Sequence, residues 1–231
     1  MIRNRGALVD HGNRDARGTL LDVATAAVEA VHPRRTVPAS IDRDGDHLRV
    51  GGRAYDLGAV DDVYVVGAGK GAGAVAAELS AILGDRIAGG VVAEKRGGPG
   101  GGVVDAVDVV GAGHPLPDDD SLAAGRRALA IADSAGSDDL VVAAITGGAS
   151  ATLAAPAGTL TLDDLATTTG ALLQAGLCID EINAVRTHCS AIKGGRPAAR
   201  VGPAAAVPLV VLDEGAGEPW GAAGGDPATV A

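Results

Sequence analysis

Phenylalanine is absent from this 231-residue chain, and its only large rings are Tyr55, Tyr64 and Trp220. Proteins that hold single-stranded nucleic acid stack bases on aromatic side chains, so that class is excluded. Lysine is scarce as well, with only Lys70, Lys95 and Lys193. The formal net charge of −10 argues against nucleic acid and anionic membrane surfaces, both of which need a basic face. Cysteine occurs twice, at Cys178 and Cys189. Two cysteines make neither a disulfide framework nor a four-ligand zinc site, and they read as small buried hydrophobes in a reducing compartment. No apolar run reaches the roughly 18 residues that a membrane span needs. The stretch from Met1 to Asp15 is charged and has no apolar core, so it is not a signal peptide. A cytoplasmic protein is expected.

What the chain does have is glycine, 36 residues of it, and a 47% hydrophobic fraction. Its core must be built from Val, Ala, Leu and Ile. The cations are mostly Arg and the anions mostly Asp. That balance suits a halophilic cytoplasm or a GC-rich genome. At about 100–200 residues per domain, the length allows one large domain, or one plus a fragment.

Residues 1–14 are expected to be disordered. Leu20, Leu21, Val23, Ala24, Ala27, Val28 and Val31 then recur at helical spacing, and Pro33 is expected to stop that helix. Ile41 to Leu57 reads as a hairpin that turns at Asp44-Gly45. Apolar runs follow at 63–66, 87–93, 107–110, 140–145 and 207–212, with helical patterns at 74–83, 118–133, 162–174 and 180–192 between them. Such alternation predicts an α/β fold: a doubly wound, mainly parallel, Rossmann-like sheet with helices on both faces. Ligands of such sheets sit beyond the carboxyl ends of the strands. Glycine and charge gather at those ends: Gly67-Ala68-Gly69-Lys70, Glu94-Lys95, Gly113-His114-Pro115, Thr146-Gly147-Gly148 and Asp213-Glu214. Residues 213–231 form a Gly/Ala/Pro-rich tail.

Gly67-x-Gly69-x-x-Ala72 follows a strand and opens a helix, as a dinucleotide or phosphate turn does, and Glu94 supplies an acidic residue one strand later. A plain tight turn would use the same glycines. Lys70 is not needed by a dinucleotide fold, but it suits a phosphoryl-transfer site. Thr146-Gly147-Gly148-Ala149-Ser150 is a second such turn, free to take a phosphate or a carboxylate. The segment from Glu181 to Arg196 is the densest in polar residues, with Asn183, Arg186, His188 and Lys193. On one continuous helix Arg186 and Lys193 share a face about two turns apart and could clamp an anion. A solvated helix face is the plain alternative.

Taken in order, these motifs resemble the glycerate 2-kinases also called hydroxypyruvate reductases. The resemblance rests on Gly67-Ala68-Gly69-Lys70, Ala112 to Asp118, Thr146 to Ser150, and Glu181 to Arg196, and it covers about residues 15–212. It implies the family's large α/β domain without its smaller C-terminal one. It also implies ATP- and Mg²⁺-dependent transfer of a phosphoryl group to the 2-hydroxyl of D-glycerate. Lys70, Arg186 and Lys193 then fall at catalytic positions. Gly67, Gly69, His114, Gly147, Gly148, Ser150, Asn183 and His188 fall at nucleotide- and substrate-binding ones, and Asp213 is the candidate for the metal. The chain departs from the family pattern at Lys95-Arg96-Gly97-Gly98, Ala149 and Thr187. Those departures and the missing domain leave two other readings open: an NAD(P)H-dependent hydroxypyruvate reductase, or a non-catalytic α/β module.

Overall fold

The computed structural model describes residues 2–98 and 104–211. Helices α1 (Arg5–Val9), α2 (Arg14–Ala30) and α3 (Pro33–Ser40) lead into a small antiparallel sheet of β1 (Ile41–Asp44), β2 (His47–Val50) and β3 (Arg53–Asp56). The main unit follows: β4 (Val63–Gly69), α4 (Ala72–Leu83), β5 (Ile87–Lys95), β6 (Val107–Ala112), α5 (Asp119–Ser134) and β7 (Leu140–Thr146). Helices α6 (Ala149–Thr152), α7 (Leu162–Gln174), α8 (Ile179–His188) and α9 (Arg196–Val201) then lead to β8 (Ala205–Val211).

The five strands of the main sheet are all parallel and lie in the order β6-β5-β4-β7-β8. The chain therefore starts in the middle, winds outward to β6, and returns past β4 to wind the other way. This is the doubly wound arrangement expected from the alternation of apolar runs and helices. Its direction reverses between β4 and β7, and such a reversal leaves a crevice above the strand ends.

The two faces of the sheet are packed differently. On one face α4 presents Val75, Ala76, Leu79 and Leu83 to Val63, Val65, Val92, Leu140 and Val142, the small sheet adds Leu48, and the turn after it adds Leu57. On the other face the contacts come largely from alanine: Ala68, Ala93, Ala112, Ala124 and Ala128. Gly125 of α5 sits so close to the Ala154 carbonyl that a Cβ there would overlap it. The second layer is therefore thin, and α5 rides low on the sheet.

Several expectations need correction. Residues 5–9, expected to be disordered, form α1, tied by Arg5 to Asp22 at 2.7 Å and by Arg17 to the Leu8 carbonyl. Pro33 does end the α2 segment, but it also opens α3, where a missing N–H costs nothing and His32 Nδ1 caps the turn. The predicted hairpin gains a third strand through a second turn at Gly51-Gly52. The apolar stripe of α2 faces outward: Leu20, Val23, Val28 and Val31 are 61–67% exposed, and nothing among the described residues covers them. Cys178 is exposed and Cys189 half-buried, so the two are not the buried hydrophobes expected, although both are free. No helix among the described residues is long and apolar enough to cross a membrane. The tail from 213 onward lies outside the described residues.

Asp118 caps α5 and closes a capping box with Ser121, whose N–H donates to it at 2.9 Å. Arg96 reaches the same carboxylate at 2.9 Å. Burial opposes ionisation of Asp118, yet the N–H groups of Ser121 and Gly113 and the Arg96 guanidinium hold its pKa at about 2. Asp118→Ala is expected to cost about 1 kcal/mol in urea unfolding at neutral pH. The folded pKa lies below the unfolded one, so the contribution of Asp118 is complete above about pH 5 and fades as pH falls toward 2. The gap between parent and variant should shrink over that range.

Candidate functional site

β4 and β7 end side by side at the switch point, and their turns are bonded to each other. The Lys70 N–H donates to the Gly147 carbonyl at 2.8 Å, and the Gly71 N–H donates to Thr146 Oγ at 3.1 Å. Thr146 is buried, so its hydroxyl serves as an internal strut. Gly69 has φ +124°, and a Cβ there would collide with Thr146 Oγ1 and the Thr146 carbonyl. Only glycine allows that approach. At Gly148, φ is +91°, and a Cβ would stand 3.1 Å from Lys70 Cγ and 3.2 Å from the His114 ring. Lys70, His114 and Gly148 therefore meet at one point, although they come from three separate loops. The His114-Pro115 peptide is cis. Gly67 is buried in β4 below them.

A narrow pocket adjoins this point. It is lined by Pro117, Ser150, Ala154, Leu165, Thr169, Arg186, Ser190 and Lys193. None of the lining residues is a carboxylate. Lys193 Nζ donates to the Leu153 carbonyl at 3.0 Å. Burial, with the Arg186 guanidinium adding to it, lowers the Lys193 pKa to about 7. Burial also lowers that of Arg186, though a guanidinium stays charged at any ordinary pH. His114 is lowered as well, by burial first and then by Lys70, Lys95 and Arg186. Arg186 therefore acts on both parts of the site: it lines the pocket and is felt at His114. Neither Arg186 nor Lys193 has a carboxylate partner among the described residues.

Not every expected residue converges. The helix predicted over 180–192 ends at His188. Beyond it the chain pairs Ser190 with Pro156, and the Ala191 N–H donates to the Ala155 carbonyl at 2.8 Å. Capture by this neighbouring segment outcompetes another turn of helix. Arg186 and Lys193 thus do not share a helix face; the turn that replaces the helix brings them together. His188 is exposed and stays on its own helix, with Nδ1 2.8 Å from the Ala184 carbonyl. Asn183 is half-buried but does not line the pocket. Glu94 is 2% exposed, with Gly98 laid against its carboxylate, so it is not presented to a cofactor ribose. The sequence reading held Thr146 and Ser190 within its motifs without a role of their own, and it did not single out Thr169. A buried hydroxyl has no periodic signal, and only its position after an apolar run hints at it.

The expected metal residue, Asp213, lies outside the described residues. Among those described, no three His, Cys, Asp or Glu side chains gather as metal ligands.

A test follows from the cations around His114. Its pKa should lie below the usual histidine value in a proton NMR titration. Lys70→Ala should move it upward, and so should an anion bound among the cations. A value at or above 6.5 in the unliganded protein contradicts this geometry.

Comparison with known proteins places the chain in a family. The family model described as "Domain of unknown function (DUF4147)" matches residues 19–225. The D-glycerate 2-kinase of Thermotoga maritima is 34% identical over 193 residues, covering 84% of this chain and 43% of its own. A protein of Agrobacterium vitis named, with a qualifier, a hydroxypyruvate reductase is 40% identical over 173 residues, 72% of this chain and 39% of its own. A crystal structure of a Pyrococcus horikoshii protein superposes with a TM-score of 0.74 at 33% identity, covering 84% of this chain and 43% of that one. The chain spans about two fifths of the length of these relatives. With a family model matched across most of its residues, and the fold and motif order to go with it, the chain belongs to the DUF4147 family, to which the glycerate 2-kinase resemblance pointed.

Proposed function

We propose that this chain carries the nucleotide- and acid-binding half of a glycerate 2-kinase, which moves the ATP γ-phosphoryl group to the 2-hydroxyl of D-glycerate. The observation that carries this reading is the convergence of Lys70, His114 and Gly148 at the switch point, beside a pocket whose Arg186 and Lys193 have no carboxylate partner among the described residues. Among the described residues the pocket lining carries two cations and no carboxylate, which suits anions, and both reactants are anions.

In this reading the two glycine turns offer N–H groups to the phosphates, and Lys70 places an ammonium beside the transferring group. Phosphoryl transfer spreads charge over the oxygens of a loose transition state, so fixed cations and oriented dipoles do most of the work. Arg186 holds the carboxylate of the acid at the pocket, and Ser150 supplies a hydroxyl there. Holding both reactants at one junction contributes through proximity. ATP would arrive as its Mg²⁺ complex, with the ion counted as part of the substrate.

The names of the T. maritima and A. vitis relatives point to different reactions. The buried Glu94 favours the kinase, because a nicotinamide dinucleotide site needs an acidic residue free to meet the ribose.

ADP release in the presence of D-glycerate tests the proposal. Lys70→Ala is expected to lower kcat/KM on the order of 10²–10³-fold, the usual effect of removing a charge-stabilising group. Equal turnover in the two proteins would remove Lys70 from the mechanism. NADH binding without ATP binding would replace the kinase by the reductase.

The state of Lys193 gives a second test. Its protonated form adds attraction for a carboxylate, so KM for the acid should rise as pH climbs through about 7. Lys193→Met should flatten that rise, because Arg186 stays charged throughout.

A further inference from the structure

Helix α2 owes its form to local features. Asn13 caps it and accepts the Ala16 N–H at 3.1 Å, Asp15 meets the dipole in the first turn, and alanine fills its middle. Packing contributes little, because none of its 17 residues is buried. Helices of this length are marginal in water, and in proteins most of their stability comes from covering an apolar face. The partial cover that α2 has lies over Gly18, Leu21, Thr25 and Glu29, on the side where Arg5 of α1 meets the Gly18 carbonyl at 3.2 Å and Asp22 at 2.7 Å. Leu20, Val23, Ala24, Ala27, Val28 and Val31 are all exposed on another side.

The order within this stripe points to its partner. Leu20, Ala24, Ala27 and Val31 follow at steps of four, three and four residues, the seam of two paired helices. The seam reads large, small, small, large in both directions. In an antiparallel pair, Leu20 then meets the partner's Val31 and Ala24 meets the partner's Ala27, twice over. Such self-complementarity is what a two-fold interface requires. The central alanines let the two backbones approach, and Val23 and Val28 flank the seam, one on each side. On the Val28 edge the apolar area continues into a groove lined by Ile2, Ala24 and Val28.

Charge agrees with this choice. A chain of net charge −10 repels its own copies, but residues 1–40 hold six arginines against four carboxylates. Copies therefore meet here with the least repulsion. Area agrees as well. The four large side chains, 61–67% exposed, make a patch of a few hundred Å², the size that marks an interaction site. Two such patches with the alanines and the groove bury on the order of 1,000 Å², enough for a weak specific dimer.

We propose that α2 pairs antiparallel with α2 of a second copy of this chain, about a two-fold axis between Ala24 and Ala27. The pairing is independent of the reaction proposed above.

The experiment is sedimentation equilibrium of the full chain across about 1–100 μM, where small interfaces associate. Expected is a mass that rises from one chain toward two. Leu20→Asp with Val31→Asp should hold it at one chain, with an unchanged circular dichroism spectrum because both positions are exposed. Register has its own test. Ala24→Glu and Ala27→Lys should each dissociate the dimer, and mixing the two variants should restore it, since residue 24 faces residue 27 only in the antiparallel pair. Hydrogen exchange needs no variant: in the parent chain, α2 amides should slow at least about tenfold over the same concentrations while those of β4 to β8 stay constant. A single-chain mass throughout overturns the proposal, whether the stripe is then bare, covered by residues 212–231, or matched to the length that the longer relatives have and this chain lacks. A dimer that survives the double aspartate variant overturns it too, and failure of the mixed variants to reassociate overturns the antiparallel register.

Discussion

The site depends on the bonding of two strand ends to each other. β4 and β7 run parallel and adjacent, and each ends in a glycine turn. The Gly147 carbonyl takes the Lys70 N–H, and the buried Thr146 hydroxyl takes the Gly71 N–H. Without these bonds two glycine-rich loops would sample many conformations, because glycine loses more freedom on ordering than any other residue. With them the loops become one rigid corner, and the backbone of Lys70 is fixed before any ligand arrives. Pre-organisation of this kind is what makes electrostatic stabilisation effective.

Around this corner the charge is one-sided. The chain as a whole is acidic, yet Lys70, Lys95, His114, Arg186 and Lys193 act on a common region. Such crowding is costly in isolation, and the lowered pKa values of His114 and Lys193 are the signs of that cost. Carboxylates elsewhere neutralise arginines on the surface: Asp108 with Arg127, Asp133 with Arg200, Asp118 and Asp120 with Arg96. No described carboxylate lines the pocket, and that contrast underlies the proposed anion site.

The fold was legible because each strand is a short apolar run bounded by glycine or charge. The helical pattern at 162–174 is α7 as read, opened by a capping box of Thr161 and Asp164. The rim of glycine and lysine at strand ends was equally plain. Other parts were not legible, for physical reasons. The end of α8 is set by a backbone pairing between Ser190 and Pro156, a contact across 34 positions that no local pattern encodes. The outward apolar stripe on α2 has helical spacing, but spacing alone says nothing about which way a stripe faces. Arg186 and Lys193 were grouped for a reason that fails, a shared helix face. They still meet, because the turn after His188 folds back over the strand-end loops.

The thin alanine layer beneath α5 has a further consequence. Because Gly125 lets the Ala154 carbonyl approach so closely, the segment Leu153–Ala157 lies against the helix rather than above it. That same segment supplies the Leu153 carbonyl for Lys193 and the Ala155 carbonyl for Ala191. One wall of the pocket is thus main chain, held at a height set by residues that never touch a ligand. Enlarging Gly125, which packs on the Ala154 carbonyl, would lift that wall and the carbonyls that Lys193 and Ser190 bond to. The chemistry of the pocket is in this sense written partly in the smallest side chains of the protein.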